Sequence, residues 1–403
     1  MPLTAKIMTE LLLKLFVKNN IDAANLSVRD NVGKMASSVG IVLNICLAAF
    51  KIVVGALFGV ISVVADGLNN LTDCGGNVVS LVGFTLSGKP ADSDHPYGHR
   101  RIEYVAGLIV GFIVLFVAIE LVISSVQNIF TPAETDFTYL TIIALGVSVL
   151  VKLWMFFFYR KLGKRYNSEL ILANSADSIS DVLATSAVIA SVFIAKWTGF
   201  SRIDGIMGVA VAVIIGIAGI KIVIGASGQL MGKSPDAELI SDVVSRIRGF
   251  DGVLGIHDLN VHSYGQNTYY ASVHVEVDSA VDVMASHDLI DRIERDFAEN
   301  TNVRLVIHMD PIVVGDPELD NYRKEVEEIV AALDEHFSVH DFRMVKGITH
   351  TNLIFDVGVH FGTKLTDRQI TEYIQSEIDR IHKNVYVVPT VERQICDETL
   401  IEK

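Results

Sequence analysis

The chain has 403 residues, half of them hydrophobic, with a formal net charge of −14 and a mean hydropathy of +0.42. That is too apolar for an ordinary soluble protein of this size. A basic face for nucleic acid is lacking, so that partner class is set aside. Cys46, Cys74 and Cys396 form no CxxC pair, which excludes a disulfide framework or a thiolate metal site.

Charge divides the chain: acids outnumber bases roughly two to one from Ser234 onward, while the part before it is slightly basic. The reading is a membrane region followed by an acidic soluble one, whose acidity is first of all a solvated surface. Residues 1–32 are an N-terminal cytoplasmic segment. Within it Leu11–Val17, with Lys14 and Lys18, reads as an amphipathic surface helix and not a cleavable signal.

Residues 33–233 are expected to form a membrane α-helical domain of six transmembrane helices. Six stretches approach the roughly 20 apolar residues a span needs: Gly33–Phe58, Ile61–Ser87, Ile102–Phe130, Tyr139–Tyr159, Leu170–Lys196 and Ile203–Met231. The loops at Arg160–Arg165 and Arg100–Arg101 are basic, whereas Thr131–Phe137 has acids only. Basic loops stay inside, so both termini are expected to be cytoplasmic, with Lys196 and Arg202 dissenting.

Two polar pairs interrupt these stretches, Asn69 with Asp73 and Asp177 with Asp181. Residues at i and i+4 share a helix face, so each pair aims two oxygens at one point. An Asp at mid-membrane costs roughly 2.5–3.5 kcal/mol, so three need a compensating cation. The plainer reading is that the asparagines bridge helices and the acids pair with Lys51 and Lys152, but two lysines leave acids over. Asp66 shares the face of Asp73 further along the axis and would line the entry or exit. Cys74 points away around the helix and reads as packing. All-oxygen donors suit hard cations such as Mn²⁺ or Mg²⁺, whereas Zn²⁺ favours His or Cys.

Beyond Met231, Pro235 ends one element, and Ser234 or Asp236 can cap the next. Residues 234–315 then read as an α/β domain of helix–strand–strand–helix–strand order. Its strands are Val253–Val261, Tyr269–Val277 and Val303–His308. The same order recurs over residues 316–403, making this second cytoplasmic α/β domain a duplicate. Local similarity matches Ile256-His-Asp-Leu to Val339-His-Asp-Phe and Val273-His-Val to Val359-His-Phe. In that alignment Val388-Pro389-Thr390 stands where the first unit has His308-Met-Asp310, so the repeat is expected to lack a complete metal site. Nothing resembles a nucleophile elbow or Walker A loop, which argues against an enzyme or ATPase and for a gradient as the energy source.

The segment from Asp73 through Asp92-Ser-Asp94-His95-Pro-Tyr-Gly-His99-Arg-Arg101-Ile-Glu103, with Ser180-Asp181-Val later, resembles the cation diffusion facilitator family. The resemblance covers most of Gly33–Pro311 and implies a dimeric six-helix exchanger of divalent cations for protons. It also implies a transport site at Asn69, Asp73, Asp177 and Asp181, and a peripheral loop site at Asp92, Asp94, His95 and His99. A solvated loop shaped by Pro96 and Gly98 is the plainer reading of the latter. A cytoplasmic site is implied at His257, His274, His287, His308 and Asp310, where a lone strand His would ordinarily be a core residue.

Zinc-handling relatives carry Asp and His where this chain has Asn69 and Asp177, a set that looks like the bacterial manganese exporters. The expectation is thus a homodimeric, multi-pass inner-membrane antiporter exporting Mn²⁺ against entering protons. It has no permanently bound cofactor, and the divalent metal is substrate and possible regulator. Zn²⁺ or Fe²⁺ efflux, or a membrane-anchored metal sensor, are the alternatives.

Overall fold

A computed structural model describes residues 9–14, 26–58, 64, 67, 68, 70, 71, 73–131, 139–198 and 202–394. Two compact units emerge, Met1–Lys233 with Tyr264–Asn267, and Ser234–Ser263 with Thr268–Lys403.

The first unit is helical: α1 (Leu26–Phe58), α2 (Cys74–Ser87), α3 (Ile102–Phe130), α4 (Tyr139–Arg165), α5 (Glu169–Thr198) and α6 (Ile203–Leu230). Among the described residues four helices, not the expected six, are long and apolar enough to cross a membrane: those within α1, α3, α4 and α6. Of the second expected span the 14-residue α2 and, ahead of it, residues 64, 67, 68, 70 and 71 are described as helical, and Asp66 and Asn69 lie outside the described residues. Helix α5 has the length, at 30 residues, but Asn174, Ser175, Asp177, Ser178, Ser180 and Asp181 dilute its apolar character. Along α3, Val105, Ile109, Phe112, Phe116, Ile119 and Ile123 are exposed at helical spacing, the pattern of a face turned to lipid.

Inside this unit the helices are joined by polar contacts. Arg29 on α1 forks onto Glu103 of α3 at 2.5 and 2.6 Å, both side chains nearly fully buried. Ser168, just ahead of α5, donates to the same carboxylate at 2.7 Å. Removing one partner of such a buried pair strands the other charge, so it fixes three helices in register. Tyr159 of α4 donates to Asn77 of α2 at 2.6 Å. A Cβ on Gly40 would sit 1.8 Å from that hydroxyl, so α1 needs a glycine there. Thr9–Lys14 is helical, with Leu13 buried and Glu10 on Lys161 at 2.6 Å.

The second unit contains two α/β repeats. The first runs α7 (Ala237–Arg248), β1 (Gly255–Ser263), β2 (Tyr269–Asp278), α8 (Val283–Asn300) and β3 (Val303–Ile312). The second runs α9 (Pro317–Leu333), β4 (Ser338–Lys346), β5 (Thr351–Val359), α10 (Asp367–Ile381) and β6 (Val385–Arg393). Each sheet has its strands in sequence order, the first pair antiparallel and the second parallel. The helices use one apolar stripe: Ile240, Val243, Val244 and Ile247 on α7, and Ile370, Ile374 and Ile378 on α10. Local chemistry starts them where they start. Asp316 accepts from the N–H groups of Glu318 and Leu319 ahead of α9, and Thr366 with Gln369 forms a capping box at α10.

Both first strands carry the same defect. Pairing slips between His257 and Asn260 in β1 and between His340 and Arg343 in β4. At each slip an Asp takes positive φ, Asp258 at 52° and Asp341 at 48°, a conformation Asp tolerates better than most side chains. A bulge of this kind re-aims the neighbouring side chains.

Candidate metal centres

In the membrane unit, Asp73 ends the approach to α2, Asp177 and Asp181 lie one turn apart on α5, and Lys152 comes from α4. The Lys152 ammonium donates to Asp73 at 2.9 Å and to Asp181 at 2.5 Å, and Asp177 acts electrostatically on the same charge. The pairing with lysine weighed from sequence therefore exists, but one ammonium faces three carboxylates. Lys51 donates to Asn70 at 3.3 Å. Cys74 turns its thiol to the Asn70 carbonyl, as a packing residue would. Around the acids, Asn174 and Ser80 exchange hydrogen bonds across α5 and α2 at 2.8 and 3.1 Å, holding the two acid-bearing helices together.

The loop ahead of α3 gathers three of its four expected ligands. Asp92, His95 and His99 bring ligand atoms within 4.8 Å of one another. His99 Nδ1 faces the Pro90 carbonyl at 3.0 Å, which fixes that nitrogen as the donor and leaves Nε2 facing Asp92 at 3.4 Å. Asp94 is not part of the cluster: its exposed side chain stays outside while its backbone N–H donates to Asp92. The Asp92 carboxyl is held below its usual range, first by the N–H of His95.

The first repeat builds a tighter centre around Asp310. One oxygen lies 3.2 Å from His257 Nε2 and 2.9 Å from His274 Nδ1, and the other 3.2 Å from His308 Nδ1. Sheet pairing explains the convergence. His257 sits opposite His274, which sits opposite His308, and Asp310 is two residues further along β3 on the same face. His257 is fully buried, and its Nδ1 has no hydrogen-bond partner. A metal fits this donor set: three imidazoles share a carboxylate whose two oxygens point to different ligands. His287 is a correction. It is exposed on α8 and outside both clusters of this repeat.

Asp258 was not singled out from sequence, yet its ligand atom lies within 4.8 Å of those of His257 and His274. The signal was the Asp following His in both repeats, since an Asp that holds positive φ at a bulge is placed for a reason.

Sheet register also corrects the alignment of the repeats. His340 pairs with Asp356 as His257 pairs with His274, so Asp356, not His360, is the counterpart of His274. Thr390 faces Asp356 as His308 faces His274, and Glu392 therefore occupies the Asp310 position. The repeat has exchanged imidazoles for oxygens and has kept its carboxylate. His340 stacks on His257, ring centroids 5.1 Å apart and 11° from parallel. Burial, with the charges of Asp258 and Asp356 nearby, raises the pKa of Glu392. Burial raises Asp356 as well. His340 is pushed down to about 4 by burial and by His257.

Residues 37–231 match the cation efflux transmembrane domain, and residues 235–312 match the cation efflux protein cytoplasmic domain. Similar proteins include the manganese efflux system protein MneS of Bacillus subtilis, 31% identical over 70% of this chain and 96% of its own length. MneP of the same organism is 26% identical over 71% of this chain and 98% of its own. An uncharacterized transporter of Methanocaldococcus jannaschii is 28% identical over 68% and 96%. With helices built for lipid, and with both the membrane and the soluble domain matched in order, the chain belongs to the cation diffusion facilitator family of membrane cation efflux transporters.

Proposed function

We propose that the protein exports Mn²⁺ from the cytoplasm in exchange for protons, acting as a homodimer in the inner membrane with both termini cytoplasmic. In this reading Asn69 and Asp73 on the second span, and Asp177 and Asp181 on the fifth, hold the ion. The observation that carries it is the shared ammonium: Lys152 lies between Asp73 and Asp181, so these carboxylates already coordinate one cation. Oxygen donors alone favour a hard ion over Zn²⁺, and the names of the two Bacillus relatives point the same way. Lys152 acts as the resident counter-charge that arriving metal displaces and that returns as metal leaves. The second span takes in α2, and the fifth is α5, whose polar face the bundle interior covers.

The soluble cluster of His257, His274, His308 and Asp310 serves as a regulatory metal site, and Asp92, His95 and His99 as a peripheral one. Flux into proteoliposomes is the test. Purified protein should move Mn²⁺ down its gradient with opposite proton movement, and Asp73→Asn, Asp177→Asn or Asp181→Asn should stop both. A membrane-anchored sensor would bind metal and show no flux.

A further inference from the structure

One end of the membrane bundle holds a cavity of about 140 Å³, where α3, α5 and α6 meet. Ser124, Ser125 and Asn128 of α3 line it, together with Ala184 and Ala187 of α5 and Gly208 of α6. Ser125 lies near the end of α3 and Gly208 near the start of α6. The basic loops at Arg100–Arg101 and Arg160–Arg165 precede α3 and α5, so the cavity belongs to the opposite end of the bundle. Under the proposed orientation that end is the outer one.

Two observations mark it as more than loose packing. Ser125 is 6% exposed, and among the described residues its hydroxyl has no hydrogen-bond partner. A Cβ on Gly208 would lie 2.2 Å from that oxygen, so the glycine keeps the hydroxyl open to the cavity. A polar group at membrane depth must be met by protein or by water. A polar cavity holds a water once it exceeds about 10–15 Å³, and this one is roughly ten times that size. The second observation concerns α5. Asp177, Asp181, Ala184 and Val188 follow at intervals of four, three and four residues, which sets them on one helix face. Val188 also lines the cavity, so the face that carries two transport acids continues into it. Ala184 stands about 5 Å beyond Asp181 along the axis, and Val188 about 10 Å.

We infer that this cavity is a water-filled way-station for the divalent cation on its outward route from Asp177 and Asp181. Ser124, Ser125 and Asn128 offer hydroxyl and amide oxygens to an ion that keeps part of its water shell. Among the described residues no carboxylate lines the cavity. Neutral oxygens hold a divalent ion loosely, which release requires. The small side chains at Ala184, Ala187 and Gly208 leave the room a hydrated ion needs. All of this rests on the proposed export of Mn²⁺, and the test keeps the two apart.

Full-length protein carrying Ser125→Cys, Ala184→Cys or Ile119→Cys is treated in intact cells with a membrane-impermeant cationic thiol reagent. Labelling of each introduced cysteine is read by mass spectrometry. Ser125→Cys and Ala184→Cys should label at least about tenfold faster than Ile119→Cys on the lipid face, because a thiol reacts as its hydrated thiolate. In proteoliposomes, Ala184→Leu should lower Mn²⁺ flux at least about tenfold by drying the passage, and Ser125→Ala about threefold. Calorimetric Mn²⁺ affinity in detergent should stay near that of the parent in both. If the parent transports but its two cavity cysteines label no faster than Ile119→Cys, the cavity is dry, and the way-station falls while export stands. Fast labelling with unchanged flux in both Ala184→Leu and Ser125→Ala puts the water off the route and overturns it equally. A parent that moves no Mn²⁺ brings down export and way-station together. If Ala184→Leu loses affinity as well as flux, Ser125→Ala decides, since it removes the hydroxyl and leaves the packing in place.

Discussion

Two charged clusters of the molecule invert one another. In the membrane unit one ammonium, Lys152, sits among three carboxylates. In the first soluble repeat one carboxylate, Asp310, sits among three imidazoles. The first arrangement is anionic and pairs its carboxylates with a buried ammonium, which in the proposed exchange gives way to the arriving ion. The second gathers imidazoles and one carboxylate on a single sheet face. A site built for exchange and a site built for occupancy are therefore distinguishable by which charge stands at the centre.

The sharpest way to break that contrast is to remove the membrane carboxylates. Asp177→Asn or Asp181→Asn should lower Mn²⁺ flux by about a hundredfold or more, whereas His274→Ala with His308→Ala should leave maximal flux within a few fold. Equal losses from both would dissolve the distinction. Next in size, Lys152→Met deletes the resident cation. Apparent metal affinity should rise about tenfold while turnover falls, because the ion no longer has a competitor to expel it. Radiotracer binding and flux on one preparation read both quantities.

Selectivity is a finer probe. Asn69→Asp with Asp177→His should shift preference toward Zn²⁺ by several fold, and an unchanged Mn²⁺/Zn²⁺ flux ratio would show that these positions do not choose the cargo. The smallest effect concerns protons in the soluble unit. His340 has its folded pKa lowered to about 4, so the native state releases a proton that the unfolded chain keeps below about 6.5. Stability should thus decline as pH falls from about 6.5 toward 4, and His340→Phe, which keeps a ring against His257, should flatten that decline in thermal melts.

Much of this was legible in the sequence. The order of elements in both repeats and the paired acids on α5 follow from period and spacing, whereas the grouping of His257, His274, His308 and Asp310 comes only from the family resemblance. What escaped has a common cause. A strand tells which residues share a face but not which residue of the next strand lies opposite. Aligning Val273-His-Val with Val359-His-Phe set His360 in the place that pairing gives to Asp356, and Glu392 went unseen. His287 failed for a related reason: on an amphipathic helix the face decides, and the buried stripe of α8 is Leu289, Ile290, Ile293 and Phe297. The Lys152 bridge could be weighed but not assigned, since helix packing alone brings α4 to α5 and α2.

With its carboxylates ionised, the trio of Asp73, Asp177 and Asp181 together with Lys152 carries a formal charge of minus two, three negatives less one positive. A divalent ion that turns the Lys152 ammonium aside but leaves it within the bundle cancels that charge, and so do two protons. Under the proposed exchange the cargo-loaded and proton-loaded forms are then electrically alike, and transport should run at the same rate whatever the membrane voltage. Lys152→Met would leave one negative charge uncovered in the metal-loaded form. At about 2.3 kcal/mol per charge per 100 mV, that single substitution should turn a voltage-blind carrier into one whose flux follows a valinomycin-clamped potential.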